Sequence, residues 1–380
     1  MGEMVSVRPQ VVPVLLPHDA CPGLCPYCPP QAASEQRLAY PIPTAADLRR
    51  TVQRVRDRQR CKEAGKQGEG PASLELAFFG GDLWALPRAV RTALLDEAER
   101  MVRSALIVSI RLTLSPRSAL RVPVGELVSR GVATIELPIH SLHREVFREF
   151  SVRDSPRLSL DALGRVKGAR LRSIVHLSPG LPMSSHGSAL ATADQVVTAG
   201  PDGARVLPAL ALSGTRLGRS FKQGRWQPMT VGHAVATTKH MIRRLRKGGV
   251  EIVRVGLQPG FDLAESPEVL EGPYHQDLRL LVESEILREQ AADKLTSVFT
   301  FGTRAFTVVV HPQDEGKLRG PENCNLRSLM GQFRLDQLRV QADEGQARFT
   351  LRVLPGIGGG MEQAEERLST PIRKASVAAE

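Results

Sequence analysis

Seven short apolar runs punctuate the first 260 residues, and the first six are each followed by a longer amphipathic segment. The runs predicted as strands are Val11–Leu16, Leu74–Phe79, Ile107–Leu114, Ala133–Ile139, Ile174–Leu177, Ala204–Leu210 and Ile252–Leu257. The segments between them, at about 44–64, 87–103, 120–130, 143–168, 188–199 and 228–247, read as helices. Strands that alternate with helices form βαβ units, whose strands pair in parallel. Six units in succession predict the α/β class. They favour a partial (β/α)6 TIM-like barrel over a doubly wound sheet, because a barrel needs no reversal of strand order. Ligands in such a fold collect at the C-terminal ends of the strands.

Near residue 290 the alternation stops. Phe299–Val310, Gln337–Gln341 and Ala347–Val353 are predicted as strands and Asn325–Phe333 as a helix, a small C-terminal α+β appendage. The expected organisation is a core barrel over 1–289, the appendage over 290–355 and a flexible tail over 356–380. Gly65–Pro71, between the first helix and the second strand, reads as a linker.

A chain of 380 residues can bury a large core. It contains no apolar run of the ~18 residues that span a bilayer. Its N-terminal stretch does not follow the charged-then-apolar pattern of a signal peptide. The expected compartment is therefore the cytoplasm, with no membrane partner. Thiols stay reduced there, so clustered cysteines point to metal before disulfide. The formal net charge is +11. Arg49, Arg50, Arg54, Arg56, Arg58, Arg60 and Lys62 crowd one predicted helix, and Arg243, Arg244, Arg246 and Lys247 end another. Such an excess attracts phosphates and makes RNA or DNA a candidate partner; a solvated arginine-rich surface is the equal alternative. Aromatic residues make up only 4% of the chain, which leaves few platforms on which single-stranded bases could stack.

Directly after the first predicted strand comes "PHDACPGLCPYCPP", Pro17–Pro30, with Cys21, Cys25 and Cys28 in C-x3-C-x2-C spacing. On the barrel assignment this stretch sits on the functional face. Three thiolates on one short loop can each bind one iron of a 4Fe–4S cluster and leave the fourth iron without a protein ligand. Zinc is the rival reading, with His18 completing a Cys3His set, although structural zinc sites usually draw ligands as two separated pairs. Free thiols in a Pro/Gly turn are the third. Cys61 and Cys324 are isolated, so no auxiliary cluster is expected.

The C-x3-C-x2-C spacing after the first strand of a βα barrel resembles the signature of the radical S-adenosylmethionine (radical SAM) superfamily. Further stretches narrow the resemblance: "FFGGDLWALP" (78–87), "GVATIELPIHS" (131–141), "SPGLP" (178–182), "RVLPALALSGTRLGRSFKQGRWQP" (205–228), "VRVGLQP" (253–259) and "EGPYH" (271–275). In this order they resemble the catalytic subunit of Elongator and its shorter bacterial relatives, in the form without an acetyltransferase domain. The stretch "VVVHPQDEGKLRGPENCNLRSL" (308–329) is similar to the C-terminal domain of those relatives.

The resemblance implies a 4Fe–4S cluster on Cys21, Cys25 and Cys28 whose free iron chelates S-adenosyl-L-methionine. One electron then breaks the sulfur–C5′ bond, giving methionine and a 5′-deoxyadenosyl radical that abstracts hydrogen from a substrate. The electron comes from a donor such as a flavodoxin or ferredoxin. By the same resemblance Tyr27 lies near the adenine, and Gly80 and Gly81 let the backbone approach the methionine end of the cofactor. Asp82 either accepts from the cofactor ammonium or caps a helix. Ser115 and Arg117 face the cofactor carboxylate, His140 and Ser141 its ribose or carboxylate, and Ser178 the adenine edge; caps and turns are the alternatives for each. The substrate class implied is RNA, with a peptide or small metabolite as the alternative. A second reading of the whole chain is a cluster- or zinc-stabilised RNA-binding protein without catalysis.

Overall fold

The computed structural model describes residues 9–16, 42–63, 73–150, 155–256, 269–299 and 303–356. Cys21, Cys25, Cys28, His18 and Tyr27 lie outside these residues, as does Gln258. Two compact units divide the chain, Met1–Gln276 and Asp277–Glu380. No helix among the described residues is long and apolar enough to cross a membrane.

In the first unit the chain runs β1 (Gln10–Leu16), α1 (Ala45–Glu63), β2 (Leu74–Gly80), α2 (Arg88–Arg103), β3 (Ser109–Thr113), α3 (Pro116–Ala119), α4 (Val124–Ser129) and β4 (Val132–His140). It continues through α5 (Arg144–Phe150), α6 (Pro156–Gly168), β5 (Arg172–Leu177), α7 (His186–Ala199), β6 (Gly203–Val206), β7 (Ala211–Leu212), α8 (Arg216–Lys222), α9 (Val231–Lys247), β8 (Glu251–Val255) and β9 (Val269–Glu271). Seven strands form one sheet in the order β1-β2-β3-β4-β5-β6-β8, and all neighbours are parallel. Sequential order with right-handed crossovers puts the helices on one face, and the sheet curls into a half-barrel, a partial TIM-like barrel.

The two faces differ in chemistry. Outward, Leu76 and Phe78, Ile110 and Leu112, Ile135 and Leu137, Val175 and Leu177, and Ala204 and Val206 are buried. This apolar face carries the hydrophobic stabilisation, at ~25 cal/mol per Å² removed from water. The concave face alternates with it and holds polar side chains.

Local chemistry sets most element ends. The predicted helix 143–168 divides into α5 and α6, and Ser155 opens α6 by accepting from Leu158 N, with Pro156 at the first helical position. The predicted strand Ala204–Leu210 stops at Val206. Leu207 and Ala209 still donate to Leu177 O and Pro179 O, but Pro208 between them has no N–H. The chain bends there, and Ala211–Leu212 instead pair antiparallel with β9. Thr215 caps α8 by accepting from Gly218 N.

The second unit holds α10 (Leu278–Val298), β10 (Ala305–Val310), α11 (Pro312–Arg319), α12 (Cys324–Phe333), β11 (Gln337–Ala342) and β12 (Leu351–Pro355). Its mixed sheet has the order β11-β10-β12, parallel on one side and antiparallel on the other. Leu287, Ala291 and Leu295 of α10 pack with Phe306, Val308, Val310, Leu329 and Val353 in its core. The sequence reading assigned no helix to 278–298, because Glu283 and Ser284 sit inside its buried stripe and interrupt the apolar pattern. Asp314, fully buried, ties the unit together. It accepts from Lys317 Nζ, from Nε and Nη2 along one edge of the Arg348 guanidinium and from Phe349 N.

Candidate functional site at the C-terminal edge of the half-barrel

β1 and β2 end side by side. Leu16 pairs with Gly80 in register, and Gly81 N donates to Leu16 O at 3.0 Å. Gly80 has φ +83°, and a Cβ there would lie 2.7 Å from Leu16 O. Only glycine meets both conditions without strain. The "GGD" turn is therefore built against the last residue of β1, five positions before Cys21 in sequence. Asp82 is buried and accepts from Trp84 N at 2.9 Å and from Ser115 N at 3.1 Å. Its carboxylate bridges the ends of β2 and β3 while capping a short 3-10 turn, Leu83–Ala85.

Ser115 caps α3 by accepting from Ser118 N, and Arg117 lies half-buried in the same helix. At the end of β4 the register shifts between Pro138 and His140, and His140 adopts φ +63°. Such bulges re-aim side chains. Here the bulge sets His140 Nδ1 3.0 Å from Ser178 Oγ, while Ser178 N donates to His140 O at 2.8 Å. Burial lowers the His140 imidazole to about 4, so it is neutral near pH 7. Ser141 turns the other way. Its hydroxyl accepts from His143 N and meets Thr192 Oγ1 of α7 at 3.4 Å.

The edge thus brings together Gly80, Gly81, Asp82 and Ser115 at β2–β3, and His140 with Ser178 at β4–β5. Ser141 is engaged with α7, outside that grouping.

Beneath the edge lies a charged layer that sequence reasoning missed. Glu75 of β2 accepts from Arg111 Nε of β3 at 2.8 Å and from Thr134 Oγ1 at 3.1 Å. Glu136 of β4 is fully buried, and its Oε1 accepts from Arg111 Nη1 at 2.9 Å and Arg205 Nη2 at 2.8 Å. Its Oε2 lies 2.6 Å from His176 Nε2. Burial alone would raise the Glu136 carboxyl. The hydrogen bond from His176 and the charges of Arg205 and Arg111 outweigh this and hold it well below the usual carboxylate range. His176 is lowered, mainly by burial. A neutral imidazole beside an ionised carboxylate fixes its proton on Nε2, the nitrogen that must donate. The Arg205 guanidinium lies over the Phe79 ring, 4.9 Å from its centroid.

A signal for this layer was present. "LELAFFG", "IRLTL", "IELPI", "IVHL" and "ARVL" each carry one ionisable residue between apolar neighbours. Period-two alternation places all five on one face.

The radical SAM C-terminal domain family matches residues 201–288. The chain is 26% identical over 238 residues to a tRNA uridine(34) acetyltransferase of Dehalococcoides mccartyi, covering 56% of this chain and 51% of that protein. It is 22% identical over 253 residues to the protein of the same name from Methanocaldococcus infernus, covering 59% and 47%. The chain spans about half the length of the curated relatives it matches. Among solved structures it resembles the archaeal Methanocaldococcus infernus Elp3 with an N-terminal deletion. The TM-score is 0.54 at 18% identity, over 74% of this chain and 63% of that one, which is a likeness of fold.

Proposed function

We propose that this chain, a relative of the radical SAM, Elongator-like proteins, is an enzyme that cleaves S-adenosyl-L-methionine at a 4Fe–4S cluster. A second substrate then gives up a hydrogen atom. The observation that carries the reading is the contact between Leu16 and Gly80–Gly81. Leu16 ends β1, after which the cysteine stretch follows in sequence, on the same edge of the sheet as the Asp82–Ser115 and His140–Ser178 pairs.

The donor set fits the cofactors. Cys21, Cys25 and Cys28 supply three thiolates for a cluster, with a fourth iron left to the small molecule. A Cβ at Gly80 would meet Leu16 O at 2.7 Å, so the glycine lets the ends of β1 and β2, between which the cysteine stretch follows in sequence, lie close together. When bound, the cluster supplies the electron that splits S-adenosylmethionine into methionine and a 5′-deoxyadenosyl radical.

The chain's own residues do the positioning. Gly80 and Gly81 hold the methionine end. Asp82 keeps the β2 and β3 ends at a fixed separation, and its remaining lone pairs accept from an ammonium. His140, neutral and held by Ser178, offers its ring to a ribose hydroxyl. Ser115, Arg117 and Tyr27 complete the contacts expected of them, and Ser141 braces the β4 end on α7. The electron arrives from a small donor such as a flavodoxin or ferredoxin.

RNA is the substrate class this reading favours. The relatives are named for transfer RNA. Arg54, Arg58 and Arg60 of α1 and Arg243 and Lys247 of α9 are exposed and present positive charge.

Anaerobic reconstitution with iron and sulfide tests the activity. Brown protein carrying about four irons, releasing 5′-deoxyadenosine from S-adenosylmethionine on reduction, is expected. Cys21→Ala should abolish both. Colourless protein with bound zinc, or no nucleoside released, would sink the reading.

A further inference from the structure

His186 opens α7 and His240 lies in α9, and their rings meet edge to face. His186 Nε2 is 3.2 Å from His240 Nδ1, and the ring centroids are 5.2 Å apart. His186 is exposed and His240 half-buried, so solvent reaches the pair. The other nitrogen of His186 is held from behind. Its Nδ1 lies 3.0 Å from Oγ1 of Thr237, a buried residue one turn before His240. The two helices stay together beyond this point. Arg244 of α9 pairs with Asp194 of α7 at 3.0 Å. Gly248, which caps α9, lies so close to Val197 of α7 that a Cβ would come within 2.3 Å of it.

We propose that His186 and His240 form a zinc site, independent of any cluster and outside the grouping at the strand ends. Imidazole suits borderline divalent ions, whereas calcium and magnesium take oxygen donors. The spacing selects among the imidazole-binding ions. Two nitrogens bound ~2.0–2.1 Å from a tetrahedral zinc stand about 3.3 Å apart, with ring centroids about 5 Å apart. At right angles, as in square-planar copper or nickel, the nitrogens would close to about 2.9 Å. The observed 3.2 and 5.2 Å match the tetrahedral case.

Thr237 supplies the outer contact that fixes ring orientation in such sites. In the bound form His186 keeps its proton on Nδ1, donating to Thr237, and His240 carries its proton on Nε2. Both lone pairs then face the ion, and the neutral pair loses no proton. Among the described residues no third His, Cys, Asp or Glu joins them, so the remaining positions are open to water. The same spacing also suits a hydrogen bond between the imidazoles. That bond contributes little at an exposed position, where water competes for each nitrogen. Packed helices hold both ligands in place beforehand, which reduces the ordering cost of binding an ion.

The test uses the untagged full chain with Cys21, Cys25 and Cys28 replaced by alanine, so that no zinc goes to those thiolates. The wild-type chain with its cysteines alkylated serves as a second preparation. Calorimetric titration with zinc should give one site per chain. His186→Gln and His240→Gln should each lower the affinity about tenfold or more, and Thr237→Val about tenfold. His233→Gln, at an exposed histidine of the same helix, should leave it unchanged. Zinc should raise the unfolding midpoint of the parent and of His233→Gln, but not of His186→Gln or His240→Gln, and magnesium should raise none. Zinc affinity kept in full by both His186→Gln and His240→Gln, or a parent that binds no zinc, overturns the site and leaves the pair a hydrogen bond. Neither preparation carries a cluster or releases 5′-deoxyadenosine, so this site and the enzymatic reading fail separately.

Discussion

Glu136 gathers side chains from three other strands onto one carboxylate: Arg111 of β3, His176 of β5 and Arg205 of β6. A buried carboxylate is tolerable only when fully paired and hydrogen-bonded, and these contacts satisfy it. The same interior keeps His140 neutral, which gives a pH signature. Above pH 6.5 His140 is unprotonated in both folded and unfolded chains and adds no pH dependence. Between 6.5 and about 4 the unfolded chain takes up a proton that the folded chain refuses, so stability falls as pH falls. Below about 4 both states are protonated and this contribution levels off. Unfolding midpoints measured from pH 7 to 4 should drop less steeply in His140→Gln than in the parent. Equal slopes would show that His140 does not carry the effect, and leave His176, shifted the same way by burial, as its source.

At the scale of elements, close backbone approach decides the layout after β6. Gly218 is buried in α8, and a Cβ there would come within 2.0 Å of Leu212 O in β7. That carbonyl also accepts from Thr215 Oγ1, the helix cap, at 2.7 Å. Gly218→Ala must therefore push α8 off β7, although alanine is the better helix former. The expected loss is about 1–3 kcal/mol, read from a lowered urea midpoint at unchanged slope. A gain in stability would show that α8 is free to shift. The helix would then be a loose cover over Ala209, Ala211 and Trp226, and its own Leu217 would not be a fixed part of that buried cluster.

Across the whole molecule, the two units have separate cores and separate buried ion networks, Glu136 in one and Asp314 in the other. The exposed arginines belong to the scale of long-range electrostatics, where net charge matters more than any single contact. If α1 and α9 meet RNA, log affinity should fall linearly with log salt, by ~0.7–0.9 per phosphate neutralised. Reversing Arg54 and Arg58 together should make that slope shallower by about 2, without changing the folding midpoint. Negligible affinity at physiological salt, or an unchanged slope, would remove RNA contact from α1.

The βα alternation, the parallel sheet and the edge that carries the "GGD" turn were legible in the sequence, because apolar periodicity and glycine placement act over a few residues. So was the cysteine spacing, a purely local fact. Other features needed the fold. Asp82 is both a helix cap and a bridge to Ser115, which only the β2–β3 neighbourhood reveals. Ser141, adjacent to His140, meets Thr192 of α7 while His140 meets Ser178. Pro208 ends β6 early, and a short antiparallel pair then forms with a strand some sixty residues away. The charged layer shows the division most plainly. Each of its residues stands alone in its own strand, and sequence assigns it a face by alternation. Which carboxylate takes which guanidinium depends on strand register and on side chains reaching across the concave face. Local sequence determines periodicity; tertiary packing alone decides pairing, because it joins residues as far as 69 positions apart in one buried layer.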